Sequence, residues 1–278
     1  MQHIVLFGST GMLGCYIYTY FQAHPTIRLT VVQNDEFRVT RSSLDNIDTL
    51  LEAKGVNEHT CVINCIGLIP QRFSATGSQM DYYLVNGLFP NLLWAACKRL
   101  GAKMIQPTTD CVYNGSRGGY TERDVPDETN AYGLAKALGE PAGCTVIRAS
   151  IIGNELRNKR SFLEWVLSNA DGSTISGWDN HMWTGITCLQ YCKVVEQIVR
   201  ENLFWTGVRH ILSPDTRSKY EIAQMVVEAY GRSITVRRTS AADPVDKTLA
   251  TVFETNRVFG VPELCVQIKE QERFVLAE

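Results

Sequence analysis

Tyr132 and Lys136 are the two side chains whose types and spacing most directly suggest proton transfer. Residues four apart in a helix lie on one face, about one turn from each other. A phenol with an unperturbed pKa of ~10 is a poor acid near pH 7, but a nearby ammonium favours the phenolate and lowers that pKa. The spacing is common in proteins, so it predicts an acid–base site only together with further groups.

Such groups follow a predicted strand. The stretch 103–107 is mostly apolar and leads into Thr108, Thr109, Asp110 and Cys111. Ligands of open α/β sheets bind at the carboxyl ends of the strands. We therefore predict that Thr109 and Asp110 contact a substrate, and that this strand end lies beside the helix that carries the tyrosine and the lysine.

The first 21 residues predict the strand, turn and helix around which the rest of the fold is arranged. The apolar pentad His3–Phe7 leads into the turn GSTGMLG at 8–14 and then into the apolar segment Tyr16–Phe21. This order predicts a buried strand, a tight turn and a helix, with GxxGxxG spacing in place of GxGxxG. The three glycines would allow, in order, the turn, the approach of the backbone to a pyrophosphate and close helix packing, while free N–H groups hold the phosphate charge. The residues expected to bind a dinucleotide here are Gly8, Thr10, Gly11, Met12, Leu13 and Gly14.

The stretch after the second predicted strand bears on the choice of cofactor. A Rossmann unit for NAD usually has an acid at this strand end to hold the ribose diol, whereas one for NADP has an arginine nearby for the 2′-phosphate. Here Asp35 and Glu36 come first, and Arg38 and Arg41 follow. Because both arginines are in range of a phosphate, we favour NADPH and leave NADH open. The alternative is that they are solvated loop charges.

The rest of the chain predicts an α/β fold, a Rossmann-type doubly wound parallel sheet with a smaller, interleaved C-terminal substrate lobe. The strand within 61–67 ends in small residues that suit a backbone beneath a cofactor. A helix over 81–100 is expected to turn Leu84, Leu88, Leu92 and Ala95-Ala96 inward. We predict a cofactor domain over 1–152 and a substrate lobe over 153–278, part of which returns to the sheet.

Composition limits the classes of function. The 278 residues suit one large domain or a cofactor domain with a small appendage, and Lys+Arg at 27 nearly balance Asp+Glu at 29. Without a run of like charges, we expect a small-molecule partner and neither nucleic acid nor membrane. The nine cysteines lack CxxC spacing and are expected to be reduced thiols, with no metal site. The first strand follows Met1 closely and leaves no room for a signal peptide, so we predict a cytoplasmic protein.

Several motifs together resemble those of the extended short-chain dehydrogenase/reductases, and among them the dTDP-4-dehydrorhamnose reductase family. GSTGMLG opens the chain, PTTDCVYNG is similar to S-T-D-Y-V-F-x-G, AYGLAKALGE to YGxTKxxGE, and IRASIIG to IRTSWVY. INCIG, Val85-Asn86 and the segment from Gly177 also match family positions. The likeness covers nearly the whole chain and is far more specific than any single motif.

The resemblance implies NAD(P)H-dependent reduction of the C4 ketone of a nucleotide-linked 4-keto-6-deoxyhexose. Tyr132 would donate the proton, Lys136 would hold the cofactor ribose and tune the phenol, and Thr109 would hydrogen-bond the oxyanion. The remaining cofactor contacts expected are Asn64, Cys65, Ile66, Gly67 and Asn86. In the substrate lobe, Trp178, Trp183 and Arg217 are candidates for stacking on a base or pairing with a diphosphate, with packing an equal alternative for the tryptophans. The sequence leaves open whether the protein forms a homodimer.

Two departures from the family pattern leave alternatives. Pro141 follows closely after Glu140, so the helix that carries Tyr132 must be short. Cys111 stands where the reductases commonly have Tyr, and an epimerising Cys is found there in GDP-fucose synthase. A bifunctional 3,5-epimerase/4-reductase that uses Cys111 as a base is therefore one alternative, and simple filling of a pocket by the thiol is the other. From another class, a non-catalytic NADP-binding regulatory subunit shares this fold.

Overall fold

The computed structural model describes residues 2–70, 78–157 and 159–277. The strands are β1 (Gln2–Phe7), β2 (Ile27–Val32), β3 (Thr60–Asn64), β4 (Lys103–Thr108), β5 (Thr145–Arg148), β6 (Ile151–Ile152), β7 (Thr174–Trp178), β8 (His181–Trp183), β9 (Ile186–Thr187), β10 (Gly207–His210), β11 (Arg217–Ser218), β12 (Thr235–Thr239) and β13 (Val245–Asp246). The α-helices are α1 (Met12–Gln22), α2 (Leu44–Ala53), α3 (Gln79–Tyr82), α4 (Phe89–Arg99), α5 (Ala131–Leu138), α6 (Phe162–Leu167), α7 (Cys188–Arg200), α8 (Lys219–Ala229), α9 (Thr255–Phe259) and α10 (Leu264–Glu272). Across the described ranges, no helix is both long and apolar enough to cross a membrane.

Six parallel strands form the central sheet in the order β2-β1-β3-β4-β5-β10, which confirms the predicted fold class. The apolar residues of β1 are fully buried because helices cover both faces of the sheet. The chain leaves β1 for β2 on one side and then crosses to β3 on the other. The direction of winding therefore reverses between β1 and β3, which is where such sheets bind their ligands.

The helix predicted over 81–100 contains a break in its hydrogen-bond pattern. A π-helical segment, Tyr83–Leu88, separates α3 from α4, and the N–H of Phe89 bonds the carbonyl oxygen of Leu84, five residues back. Pro90 has no N–H for the carbonyl four residues earlier, and a wider turn accommodates this gap. The predicted inner face is therefore wrong at Leu88, which is 47% exposed while Phe89 and Leu93 are fully buried. It is confirmed at Ala96, which is fully buried, and Leu92 packs against the core.

The second half of the chain builds a smaller lobe and also returns to the sheet. Parallel β7 and β12 form one pair, and β11, β8 and β13 form a three-stranded sheet. These elements pack with α6, α8 and α10 around a core that includes Leu163, Ile222 and Ile268. Elsewhere in the same half of the chain, α7 packs on α1 and β10 pairs with β5. Part of the second half therefore belongs to the central sheet and the helix layer on it.

Candidate active site

A cavity of about 320 Å³ is formed by residues that follow the carboxyl ends of β1, β3 and β4. It brings together predicted site residues from four separate stretches of the chain. Those that line it are Gly11, Met12, Leu13, Asn64, Cys65, Ile66, Gly67, Thr109, Asp110, Cys111, Tyr132 and Lys136. The glycine turn, two strand ends and the tyrosine–lysine helix therefore meet at one place.

The glycine turn is shaped for a dinucleotide. Gly8 has φ +77°, and a Cβ on Gly14 would overlap the carbonyl oxygen of Gly8, so α1 packs on the turn only with glycine there. Gly11 caps α1 without a side-chain hydrogen bond, which leaves the first N–H groups of the helix for another acceptor. A pyrophosphate fits such donors. Thr10 does not line the cavity, and its hydroxyl accepts a hydrogen bond from Asn34 at 3.3 Å.

Two asparagines order the backbone after β3. Asn64 donates from Nδ2 to Oε1 of Gln106 at 2.9 Å and accepts the N–H of Ile66 at 3.2 Å. Asn86 does not line the cavity; its side-chain amide bonds both the N–H and the carbonyl of Leu68, at 2.9 and 2.8 Å. Asn86 thus acts on the loop that forms the cavity floor, and not by direct contact.

The turn after β4 is organised by Thr109. Its hydroxyl donates to Oδ1 of Asp110 at 3.0 Å and accepts the N–H of Cys111 at 3.1 Å, which caps the 3-10 turn Asp110–Val112. Thr109 also lies close enough to the Tyr132 phenol to lower its pKa, so the strand end and the helix meet at the cavity wall.

Tyr132 and Lys136 lie on a helix that is short, as predicted. Asn130 caps α5 by accepting the N–H of Gly133 at 2.9 Å, and the helix ends at Leu138 before Gly139. A Cβ on Gly133 would lie 2.6 Å from the carbonyl oxygen of Cys111. The absence of that Cβ lets α5 rest directly on the turn after β4.

The pKa shift of Tyr132 beside Lys136 has the opposite direction to the one expected from the sequence. Burial raises the pKa of Tyr132, and Cys111 and Asp110 raise it further. The Nζ of Lys136 instead donates to the carbonyl oxygen of Pro107 at 3.2 Å, and burial lowers the pKa of Lys136 to about 8. The expected lowering of the phenol pKa by the ammonium is therefore absent, because burial dominates. A neutral phenol is nevertheless the state that a proton donor requires.

The surroundings of Cys111 do not favour its use as an epimerising base. Burial raises the pKa of its thiol to about 12, and Asp110 adds to this, while Lys247 opposes it. This environment keeps the thiol protonated and favours the pocket-filling interpretation.

The cofactor-selecting charges lie beyond the cavity lining. Arg38 and Arg41 are exposed, and across the described ranges neither side chain forms an ion pair or hydrogen bond. Glu36, by contrast, is occupied by Lys54 at 2.6 Å and by the N–H of Gln33 at 2.7 Å. One of the two acids that could hold a ribose is therefore engaged elsewhere.

The three candidate substrate-binding residues of the lobe, Trp178, Trp183 and Arg217, have different surroundings in the structure. Trp178 is 48% exposed and lines a second cavity. Trp183 is 3% exposed in the lobe core, which favours packing over base stacking. Arg217 is engaged by Asp215 at 2.8 Å and Glu221 at 3.6 Å. None of the three lines the cavity with Tyr132.

Several lining residues were missed from the sequence. Glu155, Ser161 and Phe162 also line the cavity. The Glu155 carboxylate accepts the N–H of Ser161 at 3.0 Å, and Ser161 caps α6. The capping serine before an apolar run was the available signal, but it predicts a helix start and not proximity to a site.

The fold and this site together define a Rossmann-type α/β protein in which a glycine turn, two strand ends and a tyrosine–lysine helix surround one cavity. The sequence agrees: the chain belongs to the RmlD substrate binding domain family, whose model matches residues 1–251.

Individual relatives and a solved structure are similar to this chain at sequence identities below 30%. The chain is 28% identical over 239 residues to a dTDP-4-keto-6-deoxy-D-glucose reductase of Streptomyces niveus, covering 81% of this chain and 77% of that protein. It is 23% identical over 270 residues to methionine adenosyltransferase 2 subunit beta of Rattus norvegicus, covering 88% and 77%. The fold is similar to dTDP-4-dehydrorhamnose reductase of Bacillus anthracis in complex with NADP, with a TM-score of 0.79, 17% identity and 98% of each chain covered.

Proposed function

We propose that this protein reduces the C4 ketone of a nucleotide-linked 4-keto-6-deoxyhexose with NADPH. The observation that carries the proposal is that Thr109, Tyr132 and Lys136 line one cavity with the glycine turn at the start of α1. The name of the Streptomyces relative, a reductase of such a nucleotide sugar, supports the substrate class.

The chain's own groups would handle the proton and the charge. NADPH, when bound, supplies the hydride that adds to the carbonyl carbon. Tyr132, kept neutral by its raised pKa, donates its proton to the carbonyl oxygen, and the Thr109 hydroxyl hydrogen-bonds the same oxygen as it gains charge. With a pKa of about 8, the Lys136 ammonium is largely charged at pH 7 and would hold the cofactor ribose.

The residues present suit NADPH. The uncapped start of α1 would hold the pyrophosphate, and the stretch 64–67 would lie beneath the nicotinamide half. Arg38 and Arg41 have no partner within the described ranges and would be available to a 2′-phosphate, whereas Glu36 is occupied by Lys54. The Bacillus anthracis reductase was solved with NADP, which supports the same choice.

Turnover separates the enzyme from a non-catalytic regulatory subunit. The protein is incubated with NADPH and either dTDP- or UDP-4-keto-6-deoxyglucose, while absorbance at the nicotinamide band and sugar products are followed. We expect oxidation of NADPH that matches the reduced sugar formed. NADPH binding without turnover of either substrate would support the regulatory alternative, which the rat relative represents.

Replacing both Arg38 and Arg41 by Ala is expected to weaken NADPH binding and leave NADH binding little changed. The physical reason is the loss of about 1.5–3 kcal/mol for each charge-assisted contact to the 2′-phosphate. Dissociation constants for both cofactors test this, with Arg257→Ala as the control because Arg257 is an exposed arginine in a surface ion pair. Equal losses for NADPH and NADH would contradict a phosphate contact.

Incubation with a 4-keto-6-deoxyglucose nucleotide in deuterated water, without NADPH, is expected to give no deuterium at C3 or C5. A thiol whose pKa is raised to about 12 supplies too little thiolate near pH 7 to remove a proton α to the ketone. Mass spectrometry of the recovered sugar measures the exchange. Incorporation that disappears in Cys111→Ser would establish the epimerase alternative instead.

A further inference from the structure

Tyr16 is a buried tyrosine on the helix that follows the glycine turn. It lies on α1 one turn beyond Met12, which lines the candidate active-site cavity, and it has no exposed surface. Its ring stacks on that of Phe274, with centroids 5.7 Å apart and 16° between the ring planes. Burial raises the pKa of Tyr16, and Cys188 raises it further. Tyr16 therefore carries a neutral hydroxyl, which can donate one hydrogen bond and accept others.

One residue, Asn154, uses both functions of this hydroxyl. The Tyr16 hydroxyl accepts the N–H of Asn154 at 3.0 Å and donates to Oδ1 of the same residue at 3.2 Å. The hydroxyl of Tyr230, which follows α8, donates to that Oδ1 at 2.7 Å. A Cβ on Gly153 would lie 3.1 Å from Cε2 of Tyr16, which shows how closely the chain passes the ring. Asn154 is therefore held between α1 and the end of α8.

Asn154 directly precedes residues that line the same cavity as the start of α1. Three of them are Glu155, Arg160 and Ser161, which we call the wall residues. The Glu155 carboxylate accepts the N–H groups of Arg160 and Ser161, at 2.6 and 3.0 Å. The Glu155 N–H donates to Oε1 of Glu164 at 2.8 Å. Because the wall residues are tied together through Glu155, a shift of Asn154 would displace them as a group.

We propose that Tyr16 is a positioning residue for the reaction: through Asn154 it fixes the wall residues relative to the start of α1, and so sets the fit of the substrate beside the bound cofactor. The inference rests on the proposed function, which places NADPH at the start of α1 and the sugar in the same cavity. Tyr16 itself does not line this cavity in the described part of the chain. It therefore acts through its hydrogen bonds and not by touching a ligand.

The hydroxyl can be removed while the packing around it is kept. Phenylalanine at position 16 fills the same space and retains the stack on Phe274. The change removes the acceptor of the Asn154 N–H and one of the two hydroxyl donors to its Oδ1. An N–H without a partner is costly, so the backbone of Asn154 is expected to move, and the wall residues with it. A displacement of about 1 Å far from the chemistry is enough to slow a reaction roughly 100-fold.

Replacing Tyr16 by Phe is expected to lower kcat/KM for the nucleotide sugar by roughly 10- to 100-fold, mainly through a higher KM. The wall residues would contact the sugar both before and during the reaction, and loss of such binding raises KM. The dissociation constant of NADPH should change by no more than a few-fold. Steady-state kinetics and NADPH titration measure this split. Tyr18→Phe is the matched control, because it removes a hydroxyl from the same helix that makes no hydrogen bond within the described ranges.

A double-mutant cycle tests whether Tyr16 acts through Asn154. Asn154→Ala alone should lower kcat/KM to a similar extent, and it reports on the same link if Tyr16→Phe folds poorly. In Tyr16→Phe/Asn154→Ala the combined loss should be clearly smaller than the product of the two single losses, because residues in one hydrogen-bond network are not additive. Losses that multiply would overturn the proposed link, as would an unchanged kcat/KM in Tyr16→Phe.

Hydrogen exchange gives a readout that does not depend on turnover. The amide of Ser161, which is held by Glu155, should exchange faster in Tyr16→Phe than in the wild type or in Tyr18→Phe. If the wild type turns over no 4-keto sugar, the reductase proposal fails, whereas faster exchange at Ser161 would still support positioning of the wall residues by Tyr16. If the wild type is active and this amide exchanges equally in all three proteins, the reductase stands and the positioning role is wrong.

Discussion

Replacing Tyr132 by Phe is expected to lower kcat by roughly 10²–10⁴-fold, the usual contribution of a positioned acid, while NADPH affinity changes by no more than a few-fold. In the proposed mechanism the phenol donates the proton, and Thr109 lies close enough to it to affect its pKa. The ring itself packs edge-on against Tyr82, with centroids 5.9 Å apart, and Phe retains that contact. The glycine turn, which would hold the pyrophosphate, is unchanged.

The measurement is kcat on the nucleotide sugar together with the dissociation constant of NADPH. Tyr18→Phe serves as the matched control, because Tyr18 lies on α1, packs partly buried against the core and makes no side-chain hydrogen bond within the described ranges. A Tyr132→Phe variant with near-normal kcat on the correct substrate would refute the role of the phenol. A large loss of NADPH affinity would indicate a misfolded site instead.

The parts of the site that are local in sequence were predictable. Tyr132 and Lys136 are joined by helix geometry alone, and the glycines at 8, 11 and 14 determine a turn whose shape depends on few other residues. Thr109 could be placed because the carboxyl ends of parallel strands meet at one edge of a sheet. Each of these inferences needs only the periodicity of one element and the order of its neighbours.

The parts that depend on tertiary packing were not predictable. Trp178 and Trp183 are equivalent as residue types, yet one is half exposed and the other lies in the lobe core. The environment of Lys219 beside the Phe162 ring forms only when α6 and α8 pack together, and these two helices are far apart in the sequence. The direction of the pKa shift of Tyr132 likewise followed from burial, which the spacing of a tyrosine and a lysine does not reveal.

The inner face predicted for the helix over 81–100 was wrong at Leu88 for a different reason. The π-helical segment inserts extra backbone before Pro90, so the residues beyond it rotate relative to a regular 3.6-residue repeat. Leu88 consequently points outward, while Leu93 faces the sheet. Pro90 itself was the available signal, since a proline inside a helical pattern removes one hydrogen bond and disturbs the turn before it.

Glu140→Ala is expected to reduce the free energy of unfolding by about 3–5 kcal/mol, because it leaves a buried guanidinium without its counter-charge. The Arg148 side chain is 3% exposed and the Glu140 side chain 7%. Arg148 donates from Nε and Nη2 to the two carboxylate oxygens at 3.1 and 2.6 Å, and from Nη1 to the Tyr113 hydroxyl at 2.6 Å. Burial, with Arg148 adding to it, lowers the pKa of His210 to about 4, so that ring is a neutral neighbour.

Urea unfolding of Glu140→Ala, followed with and without NADPH, measures the loss. Glu228→Ala is the control, because it breaks an exposed ion pair with Lys269 and should cost about 0–1 kcal/mol. The double variant Glu140→Leu/Arg148→Met removes both charges and should recover most of the lost stability, since a buried pair can be replaced by apolar groups at little cost. If the double variant is less stable than Glu140→Ala, the penalty comes from lost packing around α5 and not from the unpaired charge. Since Glu140 lies just beyond α5, a destabilised single variant should also lose turnover, and the double variant should regain it.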